Sequence, residues 1–252
     1  MMKAMFSALD CNGNLIDIDT AIQYPPNKYF CPSCHEELVI KSGNVRLKHF
    51  AHKIKSDCEE FDNDMSEWHR NWQKKFPIKN REVVLKVDED NPFAEHLLKT
   101  THRADVLCYG YAIEFQNSPI SSKEFNERNY FYYLLRKKVI WIFNMIDLYE
   151  RDTIECYGEW YDSKDNGGKY NWKYASKTFI NFKSFDEDII LIFQINDNKD
   201  DEKDSEQCYF ERVIWAININ NDGKYTDFKR FFTSYSISNF SELMSKIRRK
   251  EL

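Results

Sequence analysis

The sequence predicts a mixed α/β (α+β) fold, on three observations. Apolar residues recur at helical spacing over 64–76, and Ser121 with Glu124 forms a capping box that opens a second helix. Short apolar runs such as "REVVLKV", "VIWIFNM" and "IILIFQI" have the length of strands. With 252 residues, 42% of them hydrophobic and 16% aromatic, the chain can bury a core as one large domain or two modest ones.

In chain order, "MFSALDCNGNLIDI" reads as two short strands around Asn12-Gly13, a hairpin signal, and "YPPNKYF" then breaks the chain. Over 64–76, Met65, Trp68, Trp72 and Phe76 share a helix face. Asp64-x-x-Glu67 resembles a cap, and Pro77 ends the helix. "REVVLKV" is a strand, followed by the loop "DEDNPFAEHLLK". "HRADVLC" and "YAIEFQ" are strands flanking Tyr109-Gly110, closed off by Asn117-Ser-Pro119. The helix "KEFNERNYFYYLLRKK" and the buried strand "VIWIFNM" complete the order α-β-β-β-α-β between residues 64 and 146. Beyond it, "TFINFK", "IILIFQI" and "RVIWAININ" are strand candidates, interrupted by the acidic loop "DNKDDEKDSE". "SISNFSELMSKIRRKEL" is a helix whose last turn is basic, the favourable end for cations. The expected domains are 1–60, 61–150 and 151–252, the last without a legible role.

A net charge of −5 gives no global attraction to nucleic acid, but the charge is uneven. Lys41, Arg46, Lys48, Lys53 and Lys55 form one acid-free basic run, and Arg70, Lys74, Lys75, Lys79 and Arg81 another. Such runs are commonly solvated faces, yet local patches govern phosphate binding more than the whole-chain sum. The apolar runs are too short to span a bilayer and the N-terminal stretch lacks a secretory pattern, so a cytoplasmic protein is expected, with no membrane partner. Seven scattered cysteines argue against a disulfide framework. No internal repeat, Gly-rich phosphate loop or nucleophile elbow is present in the sequence.

Two of the cysteines belong to a metal-type pattern. Cys31-x2-Cys34, fourteen residues, then His49-x2-His52 supplies a Cys₂His₂ set for structural Zn²⁺, the two histidines sharing a face if they lie on a helical turn. The alternative is two buried thiols and two surface histidines, and Cys58 and His35 are substitutes for one ligand. The first basic run lies inside this module and is a candidate DNA-backbone contact.

The stretch "RADVLCYGYAIEFQNSPI" holds Asp105, Glu114 and Gln116 in otherwise apolar strands. If Tyr109-Gly110 is a two-residue turn, counting outward sets Asp105 opposite Glu114 and Arg103 opposite Gln116. Directly opposite like charges are destabilising, with Cβ atoms roughly 4.5–5.5 Å apart. A divalent cation such as Mg²⁺, which takes carboxylate and phosphate oxygens, removes that conflict. The alternative is an ordinary wet strand face with the acids screened by Arg103 and solvent.

The chain order, with Asp105 on one strand and Glu114-Phe-Gln116 on the next, resembles the PD-(D/E)xK restriction-endonuclease-like core. With "CPSC…HFAH", "SEWHRNWQ" and "HRADV…YAIEFQNSPISSKEFNERNYFY…VIWI", the chain resembles the competence protein CoiA family over roughly residues 1–146. The resemblance implies a zinc-ribbon-like N-terminal module before a metal-dependent deoxyribonuclease linked to recombination of incoming DNA. Asp105 and Glu114 would hold Mg²⁺ or Mn²⁺, and Gln116 would stand where many members have Lys. Lys123 or Arg128 on the following helix would then supply the missing charge, and Glu67 and His69 on the first helix are further candidates. Arg70, Lys74 and Lys75 are candidate DNA contacts, the DNA being single-stranded or branched. A catalytically inactive DNA-binding accessory protein with the same fold, and an interaction scaffold, are the rivals.

Overall fold

Asp10 shapes the first hairpin. Its carboxylate accepts from the backbone N–H groups of Asn12 and Asn14, both at 2.8 Å, while Gly13 takes a left-handed φ of 80°. The flanking strands β1 (Ser7–Leu9) and β2 (Leu15–Asp17) pair antiparallel with Leu9 opposite Leu15. The computed structural model describes residues 5–25, 28–43, 47–54, 66–88, 90–162, 165–172, 189–197, 208–214, 231–237 and 240–251. The described residues fall into two compact units, one built from Met1–Glu95 and Lys99–Cys108, the other from His96–Leu98 and Tyr109–Leu252.

In the first unit a short helix, α1 (Ile18–Gln23), follows β2 at once, with Asp17 as its N-cap. Six residues with only Ile18 and Ala21 buried are too few to show a period, so no periodicity signals this helix. Strands β3 (Tyr29–Phe30), β4 (Glu37–Lys41) and β5 (His49–His52) complete an antiparallel sheet in the order β2-β1-β3-β4-β5. Met5 and Phe50 exchange backbone hydrogen bonds at 3.1 and 2.7 Å, which brings β5 back to the residues ahead of β1. Met5, Phe6, Ala8, Ile18, Tyr29, Leu38 and Phe50 fill the space this creates.

Helix α2 (Glu67–Lys74) is shorter than the expected 64–76. Its N-cap is Ser66, whose hydroxyl accepts from the His69 N–H at 3.2 Å; the expected cap Asp64 lies outside the described residues. Trp72 and Phe76 are buried as the helical spacing requires. After Pro77 and a single 3₁₀ turn, β6 (Arg81–Lys86) pairs antiparallel with β7 (Thr101–Cys108), Val83 opposite Ala104. Burial along β7 alternates: Ala104, Val106 and Cys108 are buried, Arg103, Asp105 and Leu107 half-buried.

Tyr109 and Gly110, at φ 51° and 89°, both occupy the left-handed region that a two-residue type I′ turn requires. In the second unit, β8 (Tyr111–Gln116), α3 (Ser122–Leu134) and β9 (Lys138–Asn144) form a parallel crossover, with Glu114 opposite Trp141. Ser121 caps α3 by accepting from the Glu124 N–H at 3.1 Å, as the capping box predicts. The run "VIWIF" in β9 is buried throughout, as a strand covered on both faces must be.

Helix α4 (Ile146–Glu150) leads to β10 (Ile154–Asp162), β11 (Asp165–Trp172), β12 (Ile189–Asp197), β13 (Cys208–Ile214) and β14 (Phe231–Ile237). Helix α5 (Phe240–Arg249) follows, burying Leu243 and Ile247. β12 pairs parallel to β9, Ile190 opposite Ile140, so the region beyond residue 150 extends the same sheet in the order β10-β11-β14-β13-β12-β9-β8. The expected boundary at residue 150 therefore has no counterpart within this unit. The strand candidate "TFINFK" and residues 198–206 of the acidic loop lie outside the described residues. The chain order α2-β6-β7-β8-α3-β9 agrees with the expected α-β-β-β-α-β. No helix among the described residues is long and apolar enough to cross a membrane.

Candidate functional site

Cys31 and Cys34 sit in a tight knuckle between β3 and β4. The Cys31 N–H donates to the Glu36 carbonyl and the His35 N–H to the Cys31 carbonyl, both at 2.9 Å, with His35 at a left-handed φ of 60°. The Ser33 N–H points at Cys31 Sγ at 3.4 Å. β5 then delivers His52, whose Nε2 lies 3.2 Å from Cys34 Sγ. Donor atoms of Cys31, Cys34 and His52 all lie within 4.8 Å of one another. Ligands at zinc-like bond lengths in a tetrahedron are about 3.4–3.8 Å apart, so this soft N/S set fits a zinc-type ion.

Electrostatics suit the same use. Burial pushes the Cys31 thiol up, while N–H groups of Cys34 and Ser33 pull it down. Burial holds His52 below the usual histidine range, with Glu36 opposing and Arg103 reinforcing, which leaves a neutral imidazole with a lone pair to donate.

His49 is the correction to the expected ligand set. It lies on the strand β5 and not on a helical turn, so positions three apart point to opposite faces. Its Nδ1 is 2.7 Å from the Leu47 carbonyl, and it is absent from the Cys31/Cys34/His52 group. Cys58 lies outside the described residues.

Two further polar clusters carry the acids. In the first unit, His69 is buried on α2 and its Nε2 lies 3.0 Å from Asp105 Oδ1 on β7, the two side chains 5% and 13% exposed. Glu67 is exposed at the first position of the same helix. In the second unit, Glu114 on β8 is only 1% exposed, which excludes a solvated strand face for this residue. One of its oxygens accepts from the Tyr132 hydroxyl and the other from Arg128 Nη1 at 3.0 Å.

Arg128 also donates to Glu124 at 2.7 Å and lies 5.9 Å from the Trp141 ring centre. Trp141 in turn donates to Asn129 at 2.8 Å. Gln116 turns its amide to the loop, donating to the Ser118 carbonyl at 2.6 Å. Lys123 is exposed. A buried carboxylate needs a counter-charge to stay ionised, and Arg128 supplies it. The carboxylate donors themselves are the hard oxygen type that Mg²⁺ and Mn²⁺ favour.

Tyr132 was missed from the sequence. Glu124, Arg128 and Tyr132 follow one another at intervals of four on α3, a spacing that puts all three on one face and was the available signal.

The expected DNA contacts divide. Arg70 is buried, clamped by Asp17 at 2.8 Å and Asp19 at 3.1 Å, with its guanidinium 4.3 Å from the Phe6 ring centre. Lys74 pairs with Asp19 at 2.7 Å and Arg81 with Asp17 at 3.0 Å. These cations tie α2 and β6 to the β2–α1 junction, so Arg70, expected as a phosphate contact, is instead buried and engaged by Asp17 and Asp19. Lys53 pairs with Glu37 at 3.1 Å on the surface. Lys41, Lys48 and Lys75 are exposed, and Arg46 and Lys55 lie outside the described residues.

Two family models match the chain. That of "Competence protein CoiA, N-terminal domain" covers residues 19–61, which include Cys31, Cys34 and His52. That of "Competence protein CoiA, nuclease-like domain" covers residues 86–161, which include Asp105, Glu114, Arg128 and Tyr132. The chain is 29% identical over 106 residues to the Competence protein CoiA of Bacillus subtilis (strain 168), a match covering 40% of this chain and 27% of that protein. No solved structure matches the chain. Over residues 19–61 and 86–161 the chain is similar to the N-terminal and nuclease-like domains of the competence protein CoiA family.

Proposed function

We propose that the protein is a metal-dependent deoxyribonuclease that hydrolyses DNA phosphodiester bonds during competence-associated DNA processing in the cytoplasm. The observation that carries this reading is Glu114: a carboxyl group at 1% exposure, 3.0 Å from Arg128, within the segment matched by the nuclease-like family model. Asp105 and Glu114 would hold Mg²⁺ or Mn²⁺, in the pairing expected from the sequence and on a PD-(D/E)xK-type core. When bound, the metal would supply Lewis-acid stabilisation of the phosphate and a more acidic water. His69, 3.0 Å from Asp105, would fix the carboxylate's orientation. Gln116 would orient by hydrogen bonding alone, having no charge to offer. A structural Zn²⁺ would be held by Cys31, Cys34 and His52 with one further ligand, and exposed Lys41 and Lys48 would lie along the DNA backbone.

A second reading, a catalytically inactive DNA-binding accessory protein, is favoured by two contacts. Gln116 is turned to Ser118, and Glu114 already has a cation in Arg128. The discriminating experiment incubates single-stranded, duplex and branched DNA with the full chain in Mg²⁺, Mn²⁺ or EDTA. Cleavage that needs a divalent ion supports the nuclease. DNA binding that persists in EDTA, with no cleavage in either metal, supports the accessory protein.

A further inference from the structure

We infer that Arg128 is an electrostatic latch on the metal site: its guanidinium bridges Glu114 and Glu124 when no divalent cation is bound, and lets go of Glu114 while keeping Glu124 when one binds. This inference rests on the proposed reading of Glu114 as a metal ligand. Arg128 Nη1 meets Glu114 Oε2 at 3.0 Å and Nη2 meets Glu124 Oε1 at 2.7 Å, so one guanidinium already bridges two carboxylates. The two differ in kind. Glu114 is 1% exposed and Glu124 49%, with Arg128 between them at 19%. The bridge therefore runs from the interior to solvent.

Charge decides the direction of exchange. Glu114 cannot stay ionised at that burial without a cation close by, and Arg128 meets the need in the metal-free protein. A divalent ion arriving at the same carboxylate brings two further positive charges beside the guanidinium, and like charges at such range in a poorly solvated site repel strongly. Glu124, one helical turn back on α3, offers Arg128 a ready second seat nearer to solvent. Tyr132 keeps its hydroxyl on the other Glu114 oxygen, so the carboxylate holds its orientation while its counter-ion changes.

The latch also suits Gln116. The charge absent at that position becomes available from α3 only after the metal is seated, which makes Arg128 a positioning residue in the metal-free state and a Glu124-held cation beside the site in the loaded one. Because linkage is reciprocal, Arg128 must weaken metal binding by the same factor that metal weakens the Arg128–Glu114 pair.

The test is Mn²⁺ titration of the full chain by calorimetry, without DNA, for wild type, Arg128→Gln, Glu124→Gln, the double variant and Glu114→Gln. Removing the latch is expected to tighten Mn²⁺ binding by roughly 5–150-fold in Arg128→Gln. Glu124→Gln, which removes the second seat from an exposed position, is expected to weaken it, and that weakening should vanish in the Arg128→Gln background. If Arg128→Gln does not fold, the side-chain Nε–H resonance of Arg128 in the wild type gives the same answer. It should move on Mn²⁺-free titration with Mg²⁺, with faster guanidinium rotation.

Unchanged or weaker Mn²⁺ affinity in Arg128→Gln, or an Arg128 resonance unmoved by saturating Mg²⁺, overturns the latch. If that happens while Glu114→Gln still abolishes metal binding, the metal-site reading stands and the latch alone fails. Wild-type binding indifferent to Glu114→Gln overturns both.

Discussion

The Cys31/Cys34/His52 group and the Glu114/Arg128/Tyr132 group are both candidate metal sites, and they stand in opposite electrostatic conditions. The first gathers the soft donors of Cys31 and Cys34 beside an imidazole held neutral by burial. The second is a hard carboxylate already neutralised by an arginine and hydrogen-bonded by a tyrosine. The first has its donors assembled and needs an ion to complete the knuckle. The second is complete without an ion and must give something up to take one. Convergent donors therefore suit a permanent structural ion, and a paired carboxylate suits an exchangeable one.

Breaking the first group should have the largest effect. Cys34→Ser is expected to lose stoichiometric zinc and to unfold the β1–β5 sheet, since a structural zinc contributes on the order of 10 kcal/mol to a small module. Metal analysis of protein purified without chelator, with circular dichroism, reads both. Retention of one zinc per chain in that variant would remove Cys34 from the site.

Next comes the second group. Glu114→Ala leaves Arg128 half-buried beside an apolar gap and is expected to cost about 3–5 kcal/mol in urea unfolding, a loss that Arg128→Met in the same chain should partly restore. Tyr132→Phe deletes one hydrogen bond to the same charged group, for about 1.5–3 kcal/mol. If Tyr132→Phe costs more than Glu114→Ala, the hydroxyl and not the arginine is the principal partner.

The sequence made much of this legible, for reasons that can be traced to single residues. Ser121 and Glu124 announced α3, and the apolar run "VIWIF" announced the buried strand β9, because both signals are local. His49 was misread since a spacing of three has opposite meanings on a helix and a strand. Arg70 looked like a free cation, because its partners Asp17 and Asp19 lie 53 and 51 residues earlier and no local pattern links them. Tyr132 had a local signal in its spacing from Arg128, but the tyrosine's partner Glu114 is 18 residues away on a strand.

The smallest expected effect is a contrast between two thiols. Burial pushes Cys108 up to about 11, whereas Cys11 is exposed. A thiol-specific reagent at pH 8 should label Cys11 and spare Cys108 in the folded chain. With its folded pKa above the unfolded value near 8.5, Cys108 favours folding fully below that value and loses this contribution as pH rises toward about 11. Cys108→Ala should flatten that alkaline decline in stability.

The most direct test of the nuclease site is the single-turnover rate of Mg²⁺-dependent DNA cleavage for wild type and for Asp105→Ala, with folding of both verified. The predicted result is cleavage by the wild type and none by the variant. Equal rates in the two proteins would contradict the assignment of Asp105 to the site.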